Sequence, residues 1–148
     1  MTSTASAAAP TLNPQIVGQA EKAHKPFLDR ILAPTGTTMS QWVALKFTAV
    51  SGGAADRDQL INRIGGALRI DDAAVLAVIA ELITAELLKD VPGEGSRVGF
   101  TDAGQALYQQ INGAIEEVIA RVYGDIPVDD LATAARVLTL ITTRLNAA

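Results

Sequence analysis

The fold of this chain is decided by residues 82–107, which have the sequence LITAELLKDVPGEGSRVGFTDAGQAL. Two short extended runs, 88–91 and 97–100, enclose a segment of Pro, Gly, Glu and Ser, which predicts a β-hairpin with a flexible tip. Thr101 follows the second run and is a favoured residue for a helix N-cap. The stretch therefore predicts a helix, a hairpin and a second, longer helix in direct succession.

Helical periodicity extends in both directions from the hairpin, because apolar residues recur every three or four positions. The pattern predicts four helices before the hairpin and two after it, so the chain is expected to be mainly α. The predicted boundaries follow from caps, turns and breakers: a first helix from Asn13 to just before Pro34, kinked at Pro26; a second opened by Thr38 and Gln41 and closed by Gly52; a third from Asp56 to Leu68; a fourth from Asp71 to Leu87; a fifth from Thr101 to Gly124; and a sixth after Pro127.

The composition excludes several classes of protein. The chain has 148 residues, 49% of them apolar, and a formal net charge of −4, which suits one acidic domain with a single core. The absence of Cys excludes disulfides and thiolate metal sites, and a single His disfavours a His-based zinc site. No apolar run approaches the roughly 20 residues that span a bilayer. We therefore expect a cytoplasmic protein without metal or cofactor, whose residues 1–12 form a disordered tail.

Three segments stand in a fixed order along the chain: the helix opener at 40–45, the run 82–88 before the hairpin, and residues 100–107 after it. Together they resemble the MarR family (multiple-antibiotic-resistance regulators) of bacterial transcription factors. The last segment is the most specific, because it places Thr-x-x-Gly at the start of a long helix behind a hairpin. With the two C-terminal helices included, the resemblance covers about residues 13–146.

The resemblance implies a winged helix-turn-helix core at residues 37–108, with a small β-hairpin as the wing. An N-terminal dimerisation helix at 13–36 and C-terminal dimerisation helices at 102–146 would flank it, the fifth helix being shared with the core. It also implies a non-enzymatic homodimer that binds double-stranded DNA, with the fourth helix in the major groove. The long apolar stripes of helices one, five and six independently favour a dimer, since one small core cannot cover them.

The predicted recognition helix departs from the family pattern. Residues 74–77 are Ala, Val, Leu and Ala, where the family usually has Ser, Thr and Arg. Ala74 could contact a thymine methyl and Asp72 could accept from a cytosine amino group. Asp71 and Asp72 are better explained as acids that favour the positive end of the helix.

The charges of residues 38–108, called here the acidic lobe, also bear on DNA binding. This lobe has six cations and nine anions, a net charge of −3, which predicts weak non-specific affinity for phosphate. Four arginines could nevertheless contact the DNA backbone, and a dimer would present two copies of each. The strongest candidate is Arg97, followed by Arg63 and Arg69, and then by Arg57. Sequence recognition would then depend partly on DNA shape.

Three side chains are candidates for binding a small-molecule effector. His24 lies on the first helix between Lys22 and Lys25, and Trp42 and Lys46 lie one turn apart on the second. They could form a site for a small anion, with Lys46 as the charge partner and Trp42 as a stacking wall. The alternative is a core or interface Trp with surface-exposed Lys and His.

Two functions follow, and the sequence leaves both open. The favoured one is a dimeric, ligand-responsive regulator, acting as a repressor at a pseudo-palindromic operator. The alternative is a MarR-like dimer that has weakened or lost DNA recognition and binds a small molecule or a protein partner. No catalytic set of Ser, His and acid is indicated, so an enzyme is not expected.

Overall fold

The computed structural model describes residues 11–93 and 95–148. The predicted tail therefore lies outside the described residues except for Thr11 and Leu12, and Glu94 of the hairpin tip also lies outside them. The described elements are six α-helices, three strands and one 3-10 turn: α1 Pro14–Leu32, the 3-10 turn Ala33–Thr35, α2 Met39–Val50, β1 Ala54–Asp56, α3 Arg57–Leu68, α4 Asp72–Thr84, β2 Leu88–Val91, β3 Arg97–Phe100, α5 Asp102–Tyr123 and α6 Val128–Ala147. Within the described part of the chain, no helix is both long and apolar enough to cross a membrane.

The helix starts lie where the capping residues predict them. The Asn13 side chain accepts a hydrogen bond from the Ile16 amide at 3.0 Å. Thr38 and Gln41 form the predicted reciprocal capping box, with bonds of 3.1 and 3.0 Å. The Asp71 carboxylate accepts from the Ala74 amide at 2.9 Å, so this acid lies at the positive end of the helix, as expected, and is its N-cap.

The hairpin has the two predicted strands, and a third strand joins them in one sheet. β3 lies in the centre of an antiparallel sheet with the order β1-β3-β2. The sequence analysis missed β1, which has only three residues and pairs Ala54 with Gly99 and Asp56 with Arg97. A Cβ on Gly99 would lie 2.8 Å from Val91 Cγ2 and 3.1 Å from the Gly53 carbonyl oxygen, so glycine is needed between the two neighbouring strands.

The hydrophobic core joins the helix-turn-helix to the sheet. Its most deeply buried apolar side chains come from α2, α3, α4, both hairpin strands and α5, namely Leu45, Leu60, Ile64, Val75, Ile79, Leu82, Leu88, Val98 and Ile111. This is the winged helix-turn-helix arrangement that the order of elements predicts. The chain divides into two compact units, the first ending at Asn112 and the second comprising Gly113–Ala148.

The end of α4 corrects the sequence analysis. The apolar pattern continues to Leu87, but the helix ends at Thr84. Glu86 adopts a left-handed φ of +60°, and the amides of Glu86 and Leu87 donate to the carbonyls of Ile83 and Leu82, both at 2.9 Å. This is a Schellman end, which usually has Gly at the left-handed position. Periodicity could not show it because the residues after the turn are also apolar.

Replacing Glu86 by glycine is expected to stabilise the fold by about 0.5–1 kcal/mol. A non-glycine residue in the left-handed region costs roughly 1–2 kcal/mol, and part of that gain is lost to the greater entropy of unfolded glycine. The free energy of unfolding in urea measures it. Glu81→Gly is the matched control, since Glu81 is exposed inside α4 and its replacement should destabilise the fold by about 1 kcal/mol. A loss of stability for both variants would contradict the account.

The Thr-x-x-Gly segment fixes the start of α5 against the end of α4. Thr101 Oγ1 donates to the Glu86 carbonyl at 2.6 Å and accepts from the Gly104 amide at 3.0 Å. The Thr101 amide donates to the Leu87 carbonyl at 3.2 Å. A Cβ on Gly104 would overlap that same carbonyl oxygen. The motif therefore has a steric cause, because only glycine lets α5 approach the α4–β2 turn so closely.

Candidate nucleic-acid interface

The outer face of α4 is the surface that a winged helix-turn-helix would present to DNA. Its inner face is buried in the core through Val75, Val78, Ile79 and Leu82. The exposed residues of the helix are Asp72, Ala73, Leu76, Ala77, Ala80, Glu81 and Thr84. The exposed face is therefore mostly aliphatic, and its hydrogen-bonding groups are two carboxylates and one hydroxyl.

The two residues of α4 predicted to contact bases occupy different positions. Asp72 is exposed in the first turn of the helix. Ala74 is only partly exposed, so it lies at the margin between the core and the outer face. Ala73 and Ala77, which the sequence analysis did not select, are both more accessible. Helical phase could have indicated them, since they lie on the side opposite the buried residues.

Arg57 is engaged within the protein. Its guanidinium forms an ion pair with Asp90 on β2, and its Nε donates to Ser96 Oγ at 3.1 Å. Its backbone amide also donates to the Ser96 carbonyl at 2.9 Å. Arg57 therefore ties the start of α3 to both sides of the hairpin. Sequence reasoning missed this role because Asp90 lies 33 positions away along the chain.

The other three arginines are exposed. Arg97 begins β3, and its Nη2 donates to the Ala54 carbonyl at 3.4 Å. The guanidinium of Arg63, on α3, lies 4.8 Å from the centroid of the Phe47 ring, a cation–π geometry. Arg69 caps the C-terminus of α3 with a left-handed φ of +55°. These cations lie on the helix before α4, in the turn that leads to it, and at the base of the wing.

The three effector candidates differ in burial. Trp42 is 5% exposed and its ring stacks on Tyr108 at 5.5 Å between centroids, so it is a core residue. Lys46 is exposed on α2. His24 Nδ1 lies 2.6 Å from the Ala20 carbonyl oxygen. The depression that His24 lines does not include Trp42 or Lys46 in its described lining, and the assignment of the three to one effector site stays a prediction.

His24 belongs to a surface depression between α1 and the start of α2. Its volume is about 440 Å³, and its described lining consists of Glu21, Lys22, His24, Lys25, Leu28 and Met39. It combines two lysines and one glutamate with the apolar side chains of Leu28 and Met39, and Lys25 is paired with Asp29 at 2.9 Å. Lys22 is thus the cation that could meet a small organic anion beside these apolar groups. Across residues 11–93 and 95–148, no group of three or more His, Cys, Asp or Glu side chains is placed to hold a metal ion.

Comparison with known proteins gives structural matches alone, since no family model and no curated protein matches the chain. NadR in complex with 4-hydroxyphenylacetate superposes with a TM-score of 0.71 and 19% identity, over 88% of this chain and 95% of that one. CouR from Rhodococcus jostii RHA1, bound to p-coumaroyl-CoA, gives 0.72 and 13%, over 85% and 88%. The oxidized form of MarR from E. coli gives 0.64 and 16%, over 90% and 96%. At these identities the likeness establishes a shared fold.

Proposed function

We propose that this chain, which has the winged helix-turn-helix fold of the MarR-family transcriptional regulators, is a dimeric DNA-binding regulator. In this proposal it represses transcription at a pseudo-palindromic operator and responds to a small molecule. The observation that carries the proposal is the complete winged helix-turn-helix, with an exposed recognition helix and exposed arginines on α3 and the wing. Fold alone does not determine function.

A homodimer formed through α1, α5 and α6 would cover apolar surface that one chain leaves exposed. No residue of α6 is buried in the single chain. Val128 is 79% exposed and Leu145 is 69% exposed, and Leu138 and Leu140 of the same helix and Ile119 and Val122 of α5 are exposed as well. Exposed apolar surface on this scale marks an interaction site. A two-fold axis would set the two α4 helices about 34 Å apart, the spacing of successive major grooves.

The arginines divide into two roles in this proposal. Arg97, Arg63 and Arg69 contact phosphates and fix the register of the protein on DNA. Arg57 positions the wing, because its charge is paired with Asp90 and it is bonded to Ser96. Asp72 and Ala74 lie in the first turn of the recognition helix and would meet base edges in this proposal, Ala74 from the margin of the exposed face.

Replacing Arg97 by alanine is expected to weaken binding to all duplexes alike. A dimer would lose two phosphate contacts, which lowers the slope of log K against log salt by about 2 and the affinity at 0.1 M salt by roughly 50-fold. Fluorescence anisotropy at several salt concentrations measures both quantities. A change of preference at one base pair, with the slope unaltered, would show that Arg97 contacts a base instead.

The proposed effector is a small organic anion with an apolar body. The supporting observations are the depression at His24, whose lining includes Lys22, Leu28 and Met39, and the ligands bound to NadR and CouR, 4-hydroxyphenylacetate and p-coumaroyl-CoA. Such a ligand would act by favouring one spacing of the two DNA-binding lobes. Calorimetric titration with 4-hydroxyphenylacetate tests this, and His24→Ala should weaken any binding observed. Binding that His24→Ala leaves unchanged would place the site elsewhere, with Lys46 as the next candidate.

A second candidate function is supported by the exposed aliphatic face of α4 and the net charge of −3 in the acidic lobe. In that case α4 docks on a protein partner rather than on DNA. Enrichment of a random duplex library at low salt, about 50 mM, distinguishes the two functions. The regulator predicts an inverted repeat with half-sites about one helical turn apart. Failure to enrich any duplex, together with co-purification of a stoichiometric partner, would establish the second function.

A further inference from the structure

We propose that α4 recognises the C5-methyl groups of pyrimidines in the major groove, by apolar contact instead of hydrogen bonding. Thymine is the common source of this methyl group and 5-methylcytosine is the other. The proposal deepens the proposed function and rests on it, because it requires that α4 enters DNA. It assigns a chemical preference to a recognition helix that has few hydrogen-bonding side chains.

The exposed face of α4 has a defined layout. At 100° per residue, Ala73, Leu76, Ala77 and Ala80 fall on one stripe along the middle of the exposed face. Leu76 is the largest of them and is 43% exposed. The two carboxylates, Asp72 and Glu81, lie at opposite edges of this stripe. Thr84 lies on the same stripe in the last turn of the helix and adds one hydroxyl, so the stripe ends in methyl groups from Ala73 to Ala80.

The chemistry of the major groove matches this stripe. The C5-methyl of thymine is the apolar group that an unmodified base pair presents there, whereas the other groups are donors or acceptors. Alanine has no atoms beyond Cβ, so Ala73, Ala77 and Ala80 allow the helix backbone to approach the base edges. Leu76 projects further and can cover a methyl group, removing its surface from water.

The fold favours DNA over an apolar protein partner as the occupant, because α4 is the helix that a helix-turn-helix places in the major groove. Asp72 and Glu81 oppose close contact with phosphate, so α4 supplies discrimination and little affinity. Arg63 on α3 and Arg97 on the wing are exposed and would supply the affinity through the DNA backbone. A protein partner that covered the stripe would gain binding energy from apolar contact alone. Such a contact would not involve Arg63 or Arg97.

The test uses the full chain and a duplex that it enriches from a random library. Each thymine of the half-site is replaced in turn by uracil, which removes the methyl and leaves the hydrogen-bonding groups unchanged. We expect a loss of about fourfold in affinity for each contacted methyl. At the sensitive position, T·A is then replaced by C·G and by 5-methyl-C·G. The methylated pair should bind as well as T·A, and the unmethylated pair more weakly.

Leu76→Ala should abolish the difference between thymine and uracil at one position per half-site while leaving the salt slope unchanged. Val50→Ala is the matched control, because Val50 is a comparably exposed aliphatic residue, 61% exposed, at the end of α2. Specific binding that is indifferent to uracil, or 5-methyl-C·G binding no better than C·G, would overturn methyl recognition while leaving the regulator intact. If no duplex is enriched, the proposed function fails together with it.

Discussion

Replacing Gly104 by alanine is expected to lower the free energy of unfolding by about 3 kcal/mol, in the upper part of the range for overpacked sites. The added Cβ would overlap the Leu87 carbonyl oxygen, which is backbone and also accepts the Thr101 amide. Removing this overlap would require α5 to move away from the α4–β2 turn. That movement would break the bonds from Thr101 to Glu86 and from Gly104 to Thr101.

Urea denaturation followed by circular dichroism measures this loss, at one protein concentration because a dimer's stability depends on it. Gly66→Ala is the matched control. Gly66 lies in α3 with nothing within 4 Å of its added Cβ, so alanine should stabilise the helix by about 0.5–1 kcal/mol. An unchanged urea midpoint for Gly104→Ala would show that the close approach of α5 is unnecessary.

Replacing both Arg63 and Arg97 by glutamine is expected to reduce duplex affinity at 0.1 M salt by about 10³-fold. A dimer would lose four phosphate contacts, each of which contributes about 0.9 to the salt slope. The slope itself should fall by about 4. Anisotropy titrations over a salt series give both quantities. Because the variant also loses the cation–π contact between Arg63 and Phe47, a thermal melt checks that it is still folded.

Arg136→Gln with Arg144→Gln provides the control for net charge. Both arginines are exposed on α6, so this variant changes the charge of the chain equally while leaving the acidic lobe unaltered. Its salt slope should match that of the wild type, provided that light scattering shows an unchanged oligomeric state. Equal losses for the two double variants would mean that total charge, and not these two positions, determines binding.

The fold could be predicted from sequence wherever the signal is local. Asn13, Thr38 and Asp71 cap helices through amides three residues away, and the hairpin strands have their predicted bounds. β1 and the end of α4 could not be predicted in this way. The three-residue strand exists because β3 offers a free edge, and the turn at Glu86 is fixed by contacts that include Thr101.

The candidate site was predictable in its residue types and less so in its roles. Exposure of Arg63 and Arg97 agrees with their assignment as DNA contacts, which stays a prediction. Arg57 and Trp42 acquire structural roles from partners distant in sequence, Asp90 and Tyr108. Local spacing contains no information about such pairs, because they arise only when α3 meets the hairpin and α2 meets α5.

The acidity of the lobe also has a partly structural origin. Asp56 accepts from the Gln59 amide at 3.0 Å and caps α3, Asp71 caps α4, and Asp90 pairs with Arg57. Three of its acids thus stabilise helix starts or the wing. Their charge still opposes phosphate, so we expect a regulator that binds DNA weakly at moderate salt and gains affinity through its dimer.

The salt dependence of wild-type binding to the enriched duplex tests the central claim most directly. Six phosphate contacts, from Arg63, Arg69 and Arg97 in each protomer, predict a slope of log K against log salt of about −5. Such a slope, with a stoichiometry of one dimer per inverted repeat, is the result that the account predicts. A dimer that shows no measurable duplex binding at low salt, or binding that salt does not weaken, would contradict it.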